Sequence, residues 1–534
     1  MGKVLKKLYL FAMTLAFAGI FGLISMRVFP LSLQTKAIVG PLIILHFLVM
    51  AVAVLLKKPR WRSLDMTSAA LLVAALVVVL PFSFMSTAFG VGDFSSLLIT
   101  FAENRAGQMF AVGLEGFVPE FLTEALKGIV ILIAGFAMVR YVSMGRGTVI
   151  VASLALLLLN PLTYFAFRLF VPHPDQLAIQ QDVKNLAPNI LSKPEAQKNL
   201  VIVYLESLER TYADLPISEA AFAPFAKWED QGLAFKNIQQ SKSVFFTAGG
   251  LVATQCGVPM LPRGVFNSQK RIRDDLDVIP EETDFLLGAT CLGDILTRDG
   301  YNASYINGSA LTIYSKGAFF KSHNYQRVMG FESYEGHKTE TRRNVWGMDD
   351  DLLFERVEAE LAALASEGKP FLLSTLTLGT HGPTGYPDGT CRDSTFTSNK
   401  ILNAMECSAG HVRSLVEKID SLGLSESTIV VLASDHLAYR NSLDDQLMEV
   451  KDTRRNYFTV LGADAATNLR EGTALDIYPT LLELLGYELE GNRAGLGRSL
   501  IGESPTLPES IGADRLEEAI RYNTDLQKAI WNIP

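Results

Sequence analysis

Charge is scarce in this chain: Asp, Glu, Lys and Arg make up 19% of its 534 residues, against about 25% in an ordinary soluble domain. Cysteine and tryptophan are scarcer still, with four of each. Acidic residues nearly vanish from the first third, where residues 1–170 hold 6 Asp and Glu against 14 Lys and Arg, a net of +8. Residues 171–534 hold 50 against 34, a net of −16. The shortage of charge, with 49% hydrophobic residues and a mean hydropathy of +0.22, excludes a disordered chain and a purely cytosolic enzyme. The acidic larger part would repel phosphate backbones, which excludes a nucleic-acid binder. Internal repeats and low-complexity tracts are lacking, and no cysteine pair has zinc-finger spacing. Length alone suggests three or four soluble domains; the split in charge and hydropathy argues instead for two unlike parts.

What the first part does have is long apolar runs. Leu8–Val28, Ala37–Leu56, Thr67–Met85 and Val149–Phe167 each approach the ~20 residues a helix needs to cross hydrocarbon. A fifth run, Gly128–Met144, is interrupted by Arg140 near its end, where the side chain can snorkel. Five helices, at 8–28, 37–56, 67–85, 128–144 and 149–167, are therefore expected over residues 1–170. The first follows Lys3, Lys6 and Lys7 but is too long for a signal-peptide core, and it reads as an anchor. The basic N-terminus and the loops bearing Lys57, Lys58, Arg60, Arg62 and Arg140, Arg146 fall on one side, the cytoplasmic side by the positive-inside rule. Everything after Phe167 then lies on the opposite side. The stretch Phe110–Leu126 reads as an interfacial helix or a plain loop.

Cysteine usage agrees with export. Cys256, Cys291, Cys391 and Cys407 all lie in the second part, and an even number in an oxidising compartment suggests two disulfides. Three pairings are open; nearness in sequence favours Cys256–Cys291 and Cys391–Cys407.

Residues 171–197 are polar and dotted with proline, and read as a linker. From 198 to 505 strands and helices alternate. Strands are expected at Leu200–Leu205, Ala303–Ile306, Phe371–Leu378, Thr428–Ala433 and Tyr457–Leu461, helices at Asp350–Ala365, Leu402–Leu422 and Leu475–Leu485. This order predicts an α/β domain with a mostly parallel central sheet. Residues 506–534 read as a tail without a motif, with mild helical periodicity over Arg515–Pro534. In parallel sheets ligands bind beyond the carboxyl ends of strands. Three polar groups sit there: Glu206 and Ser207, Thr380 and His381, and Asp435 with His436. Together they make a plausible oxygen and nitrogen metal site. Thr247, ahead of Ala248-Gly249-Gly250, is either a nucleophile at a helix N-terminus or a simple N-cap.

The series KNLVIVYLESLERTY, FFTAGGLVATQCGVP, CLGDIL, GAFFKSH, RNVWGMDD, TLTLGTH and ASDHLA resembles the alkaline-phosphatase/sulfatase superfamily. Within it, the series is most similar to the branch of phosphoglycerol transferases, lipoteichoic-acid synthases and phosphoethanolamine transferases. The resemblance runs from about Lys198 to Leu500. It implies that Glu206, Thr247, Asp435 and His436 hold one divalent metal, Mn²⁺ before Mg²⁺ or Zn²⁺. It implies Thr247 as nucleophile, His381 as a contact to the substrate phosphate and Lys316 as a basic phosphate-site residue. Trp346 and Asp350 match a WG-x-x-D element assigned to substrate binding. The implied activity is transfer of phosphoglycerol from phosphatidylglycerol to a periplasmic glucan, by a multi-pass protein of the bacterial inner membrane. The alternatives are a phosphoethanolamine transferase acting on glycan or lipid A, and a phosphodiesterase with the same site. The chain departs from the pattern at Asn307-Gly308-Ser309-Ala310, where lipoteichoic-acid synthases carry a head-group Asp, and at Tyr314, where they carry Trp. Cys256-Gly257-Val258-Pro259 lacks the spacing and arginine of a Cys-x-Pro-x-Arg sulfatase motif, so Cys256 reads as structural.

Overall fold

A computed structural model of the chain describes residues 66–89, 118–141, 145–262, 285–334, 342–391 and 398–533, with isolated positions at 8, 11, 12, 20, 94 and 396. The described residues divide into two compact units between Val171 and Pro172.

The first unit is helical: α1 (Met66–Phe89), α2 (Val118–Tyr141), α3 (Gly145–Leu158) and α4 (Pro161–Phe170). Leu72, Val79 and Phe82 of α1 pack with Ile131, Ala134 and Met138 of α2 and with Val149 and Leu156 of α3. Among the described residues two helices are long and apolar enough to cross a membrane, and a third counts if α3 and α4 form one bent span. The expected run 37–56 lies outside the described residues, as does 8–28 apart from the isolated positions 8, 11, 12 and 20. The run at 67–85 forms as α1. The run expected at 128–144 begins ten residues earlier, at Val118, and takes in the end of the segment read as interfacial. Charge explains the difference: Glu124 and Lys127 break the apolar run in sequence, yet they pair with each other on one helix face. Ser83 and Thr87 of α1 donate to the same carboxylate at 2.7 and 3.1 Å, so it is buried with its hydrogen bonds met. The run at 149–167 is bent by 48°. Pro161 has no N–H with which to continue the ladder, and Asn160 caps the new helix, accepting from Leu162 N and Thr163 N.

The second unit is built on an eight-stranded sheet. Its strands in chain order are β1 (Asn199–Leu205), β2 (Leu233–Phe235), β3 (Asn302–Asn307), β4 (Arg327–Met329), β5 (Phe371–Leu376), β6 (Thr428–Ser434), β7 (Phe458–Leu461) and β8 (Ala466–Asn468). The spatial order is β8-β2-β7-β6-β1-β5-β3-β4. All neighbours are parallel except β7, which runs antiparallel to β6 and β2. β1 and β6 are buried along their whole length, as unbroken apolar runs such as LVIVYL require of a sheet covered on both faces. Helices α5 (Thr247–Cys256), α6 (Asp350–Ser366), α7 (Lys400–Ser421) and α8 (Ala474–Leu484) belong to this unit. Leu353, Val357 and Leu361 of α6 and Met405, Val412 and Leu415 of α7 share a core with Val201, Val203 and Leu205.

Two expected boundaries soften. The linker is tied to the domain: Ile190–Ser192 pairs with Glu488–Leu489, and buried Asp182 accepts from Arg493 and Arg498. The tail forms three helices, a short one at Leu507–Ile511 followed by α9 (Ala513–Ile520) and α10 (Thr524–Trp531). It docks through Trp531 Nε1 on the Leu261 carbonyl at 2.8 Å and through Gly288 N on the Ile530 carbonyl at 3.0 Å. Both were illegible because the partners are polar groups far away in sequence. The disulfides are Cys256–Cys291 and Cys391–Cys407, the pairing that sequence nearness favoured.

Candidate active site

Register places the site. Ser434 of β6 lies opposite Leu205 of β1, so the residues that follow, Asp435 and Glu206, emerge side by side. Thr377, just beyond β5, accepts from Glu206 N at 3.0 Å, and Thr380 Oγ1 donates to the Glu206 carbonyl. Ser207 turns the chain in the left-handed region, with φ +53°. A non-glycine residue adopts that conformation only when its surroundings enforce it. Here Ser207 N donates to Asp435 Oδ1 at 2.9 Å and Ser207 Oγ to Glu206 Oε1 at 2.7 Å.

Thr247 is the first residue of α5. The N-cap position belongs to Phe246 and carries no side-chain hydrogen bond, so the N-cap reading of Thr247 is set aside. Its Oγ1 donates to Glu206 Oε2 at 3.3 Å. The approach of α5 to the β6 loop depends on Gly250, whose missing Cβ would lie 2.0 Å from the Asp435 carbonyl oxygen.

His436 Nε2 lies 3.5 Å from Glu206 Oε1 and 3.4 Å from Asp435 Oδ2. Its Nδ1 faces the Leu437 carbonyl at 2.8 Å; a carbonyl only accepts, so Nδ1 carries a proton and Nε2 the lone pair of the neutral ring. Asp435 Oδ2 and His436 Nε2 are buried and have no hydrogen-bond partner among the described residues. Burial and then the charge of Glu206 push Asp435 up to about 7. Burial alone would lower His436; the charges of Asp435 and Glu206 outweigh it and raise the ring above the usual value. Two buried carboxylates and an imidazole lone pair whose ligand atoms lie within 4.8 Å of one another fit a divalent cation, which would neutralise the first and occupy the second.

His381 approaches from the loop after β5, with Nε2 3.9 Å from Glu206 Oε1 and Nδ1 held by the Gly382 carbonyl at 2.7 Å. Burial pulls its pKa down to about 4. Trp346 covers it, with ring centroids 3.8 Å apart, and the Trp346 Nε1 is buried without a hydrogen-bond partner among the described residues. Tyr439, which sequence reasoning missed, packs on His436 at 4.5 Å. Lys316 is buried; Nζ donates to Ser309 Oγ at 2.7 Å. Burial brings its pKa down to about 8, against the pull of Glu206 and Asp435.

Asp350 stands apart from the others. Its two oxygens accept from Leu378 N and Gly379 N, both at 2.8 Å, so the carboxylate holds the loop that presents His381. Burial pushes its pKa up to about 7. Behind it, His411 Nε2 meets Asp388 Oδ2 at 2.6 Å. Burial would lower His411, but the hydrogen bond and charge of Asp388 raise it; burial would raise Asp388, but His411 holds it below the usual carboxylate range. The pair therefore stabilises most between about pH 4 and 6.5. The His411 share is lost as pH rises through its raised folded value, and the Asp388 share as pH falls through its depressed one. His411→Ala should cost roughly 3 kcal/mol near pH 5.5 and clearly less at pH 9, read from urea unfolding at both. The ring also stacks on Phe354, with centroids 5.0 Å apart, and equal losses would mean that it acts only by that contact.

Residues 198–487 match the sulfatase family. The chain belongs to that family. Its relatives include phosphoglycerol transferase I of Xanthomonas euvesicatoria pv. vesicatoria, 33% identical over 328 residues, 60% of this chain and 45% of that protein. Phosphoglycerol transferase I of Escherichia coli O6:K15:H31 is 30% identical over 350 residues, 64% of this chain and 43% of that protein. The chain thus spans less than half the length of the curated relatives it matches. Among solved structures, the lipoteichoic acid synthase of Listeria monocytogenes aligns at 14% identity with a TM-score of 0.48, over 66% of this chain and 98% of that one.

Proposed function

We propose that this sulfatase-family protein is a phosphoglycerol transferase. It moves the phosphoglycerol group of phosphatidylglycerol to a hydroxyl of a periplasmic glucan through a covalent intermediate on Thr247. The observation that carries this reading is the Thr247 hydroxyl at the N-terminus of α5, donating to Glu206 beside the unpartnered atoms of Asp435 and His436. Relatives named phosphoglycerol transferase I support the head group. The apolar helices of the first unit support a lipid donor, because a catalytic domain tethered at the bilayer meets its substrate at high local concentration.

Glu206, Asp435, His436 and the Thr247 oxygen would hold the cation, Mn²⁺ before Mg²⁺ or Zn²⁺. A cation held there would supply polarisation of a phosphoryl oxygen and would favour the threonine alkoxide. Glu206 Oε2 orients the Thr247 proton away from the attacking lone pair. The Thr247 hydroxyl gives its proton to Glu206 Oε2 as its oxygen bonds to phosphorus; the bond to the diacylglycerol oxygen breaks, and that oxygen takes up the released proton, so that diacylglycerol leaves as the alcohol. The helix N-terminus and Lys316 balance the charge of the phosphate. In the second displacement His381 Nε2, which bears the lone pair, takes the proton of the acceptor hydroxyl. That oxygen bonds to phosphorus, the bond from phosphorus to the Thr247 oxygen breaks, and the Thr247 oxygen takes the proton back from His381 Nε2. Trp346 fixes the His381 ring and offers its N–H to substrate. Asp350 keeps the loop that presents His381 in place.

Purified protein with divalent metal, phosphatidylglycerol labelled in the head group and a β-glucan should release diacylglycerol and place the label on glucan. Label released only as glycerol phosphate would assign a hydrolase. Turnover of phosphatidylethanolamine in place of phosphatidylglycerol would overturn the head group.

A further inference from the structure

The C-terminal helices carry no motif, yet one of their side chains reaches the segment that leads into Thr247. Glu517 Oε1 of α9 accepts from Ser241 Oγ and, at 3.0 Å, from Lys242 N. Ser241 is buried and opens the short turn Lys242–Val244, closed by Val244 N on the Ser241 carbonyl at 3.0 Å. Three residues beyond it lies Thr247. The neighbouring Gln240 grips the same segment from the other side: its Nε2 donates to the Val244 carbonyl at 2.9 Å, and its Oε1 accepts from Leu437 N at 3.2 Å, next to His436. The helix bearing Glu517 is itself anchored. Leu516, Ala519 and Ile520 are buried. Arg515 Nε meets Asp175 at 2.9 Å, and Gln176 donates to the Arg521 carbonyl at 3.3 Å.

We infer that Glu517 is a positioning residue for the nucleophile. One carboxylate oxygen on a docked helix fixes the turn Ser241–Val244, and through it the depth at which Thr247 enters the site. The inference rests on the reading of Thr247 as nucleophile. It concerns 276 residues of sequence separation, so the tail acts in the reaction without touching substrate. Misplacing a reacting atom by about 1 Å can cost a hundredfold in rate, and a turn freed from its acceptor is a source of such displacement.

The test uses the full chain in lipid nanodiscs and follows diacylglycerol release from phosphatidylglycerol. Glu517→Ala should lower kcat roughly tenfold to a hundredfold with KM for the lipid unchanged. Glu517→Gln keeps an acceptor oxygen and should stay within about twofold of the parent. Glu518→Ala, on the same helix but away from Ser241, should leave kcat unchanged and serves as the control for docking. Parental kcat in Glu517→Ala would overturn the proposal. So would equal loss in Glu517→Gln, equal loss in Glu518→Ala, or a loss that disappears when rates are divided by the folded fraction from thermal melting. Thr247→Ala is run beside them: if it is inactive while Glu517→Ala is not, only the positioning role falls. If Thr247→Ala turns over, the nucleophile reading falls first.

Discussion

Thr247→Ala is expected to cut diacylglycerol release by on the order of 10⁴-fold, the scale on which removing a covalent nucleophile acts, while the thermal midpoint stays where it was. The two halves of that statement have different grounds. Activity goes because, among the described residues, no other hydroxyl stands at the head of α5 and donates to Glu206 Oε2; Ser207 Oγ is committed to Glu206 Oε1. Stability stays because the lost hydrogen bond is long, 3.3 Å, and Glu206 keeps its bond from Ser207. Alanine is also a better helix former than threonine at the first position of a helix. Thr247→Ser keeps the oxygen but frees its rotamer and should retain activity reduced about tenfold. Activity of Thr247→Ala above about 1% of the parent would remove the residue from the reaction.

How much of this was legible depends on the kind of signal. β1, β3, β5, β6 and β7 were visible as apolar runs bounded by turns, because a central strand must bury both faces. β2, β4 and β8 are three residues each and sit at or near the sheet margins; so short a strand leaves no period to detect. The three polar groups after the strands were legible from the rule that ligands bind beyond carboxyl ends, and the register of β1 with β6 brings Glu206 and Asp435 together. Thr247 was not decidable by that rule. It enters from a helix, and only the resemblance separated a nucleophile from a cap. The structure adds the cause: Phe246 takes the cap position, which leaves the hydroxyl for Glu206. Asp350 shows the limit of a motif, which marks a position without saying what the side chain touches. Glu517 had no signal at all, since its partners lie on a turn 275 and 276 residues away.

The second large effect concerns an atom the chain does not have. Gly250→Ala places a methyl 2.0 Å from the Asp435 carbonyl oxygen, 2.7 Å from its carbonyl carbon and 3.0 Å from its Cα. All three are backbone, so no side chain can swing aside. Relief requires α5 and the β6 loop to separate by about 1 Å or more, and Thr247 and Asp435 ride on those two elements. The expected result is a fall in kcat of roughly a hundredfold, with a loss of about 1–3 kcal/mol in stability from overpacking. Gly249 is the graded comparison: its Cβ would meet the ring of Phe246 at 3.0 Å and Val244 Cα at 3.2 Å, a tight fit that a tilt of the ring and a few tenths of an ångström relieve, so Gly249→Ala should lose far less activity. Gly410, exposed within α7 with nothing within 4 Å of its Cβ, sets the baseline. Gly410→Ala should leave activity unchanged and raise stability by up to about 1 kcal/mol. Parental kcat in Gly250→Ala would mean that the nucleophile need not be held at this distance from Asp435. A loss of stability without a loss of kcat per folded molecule would place the glycine in the packing of the domain and outside the geometry of transfer.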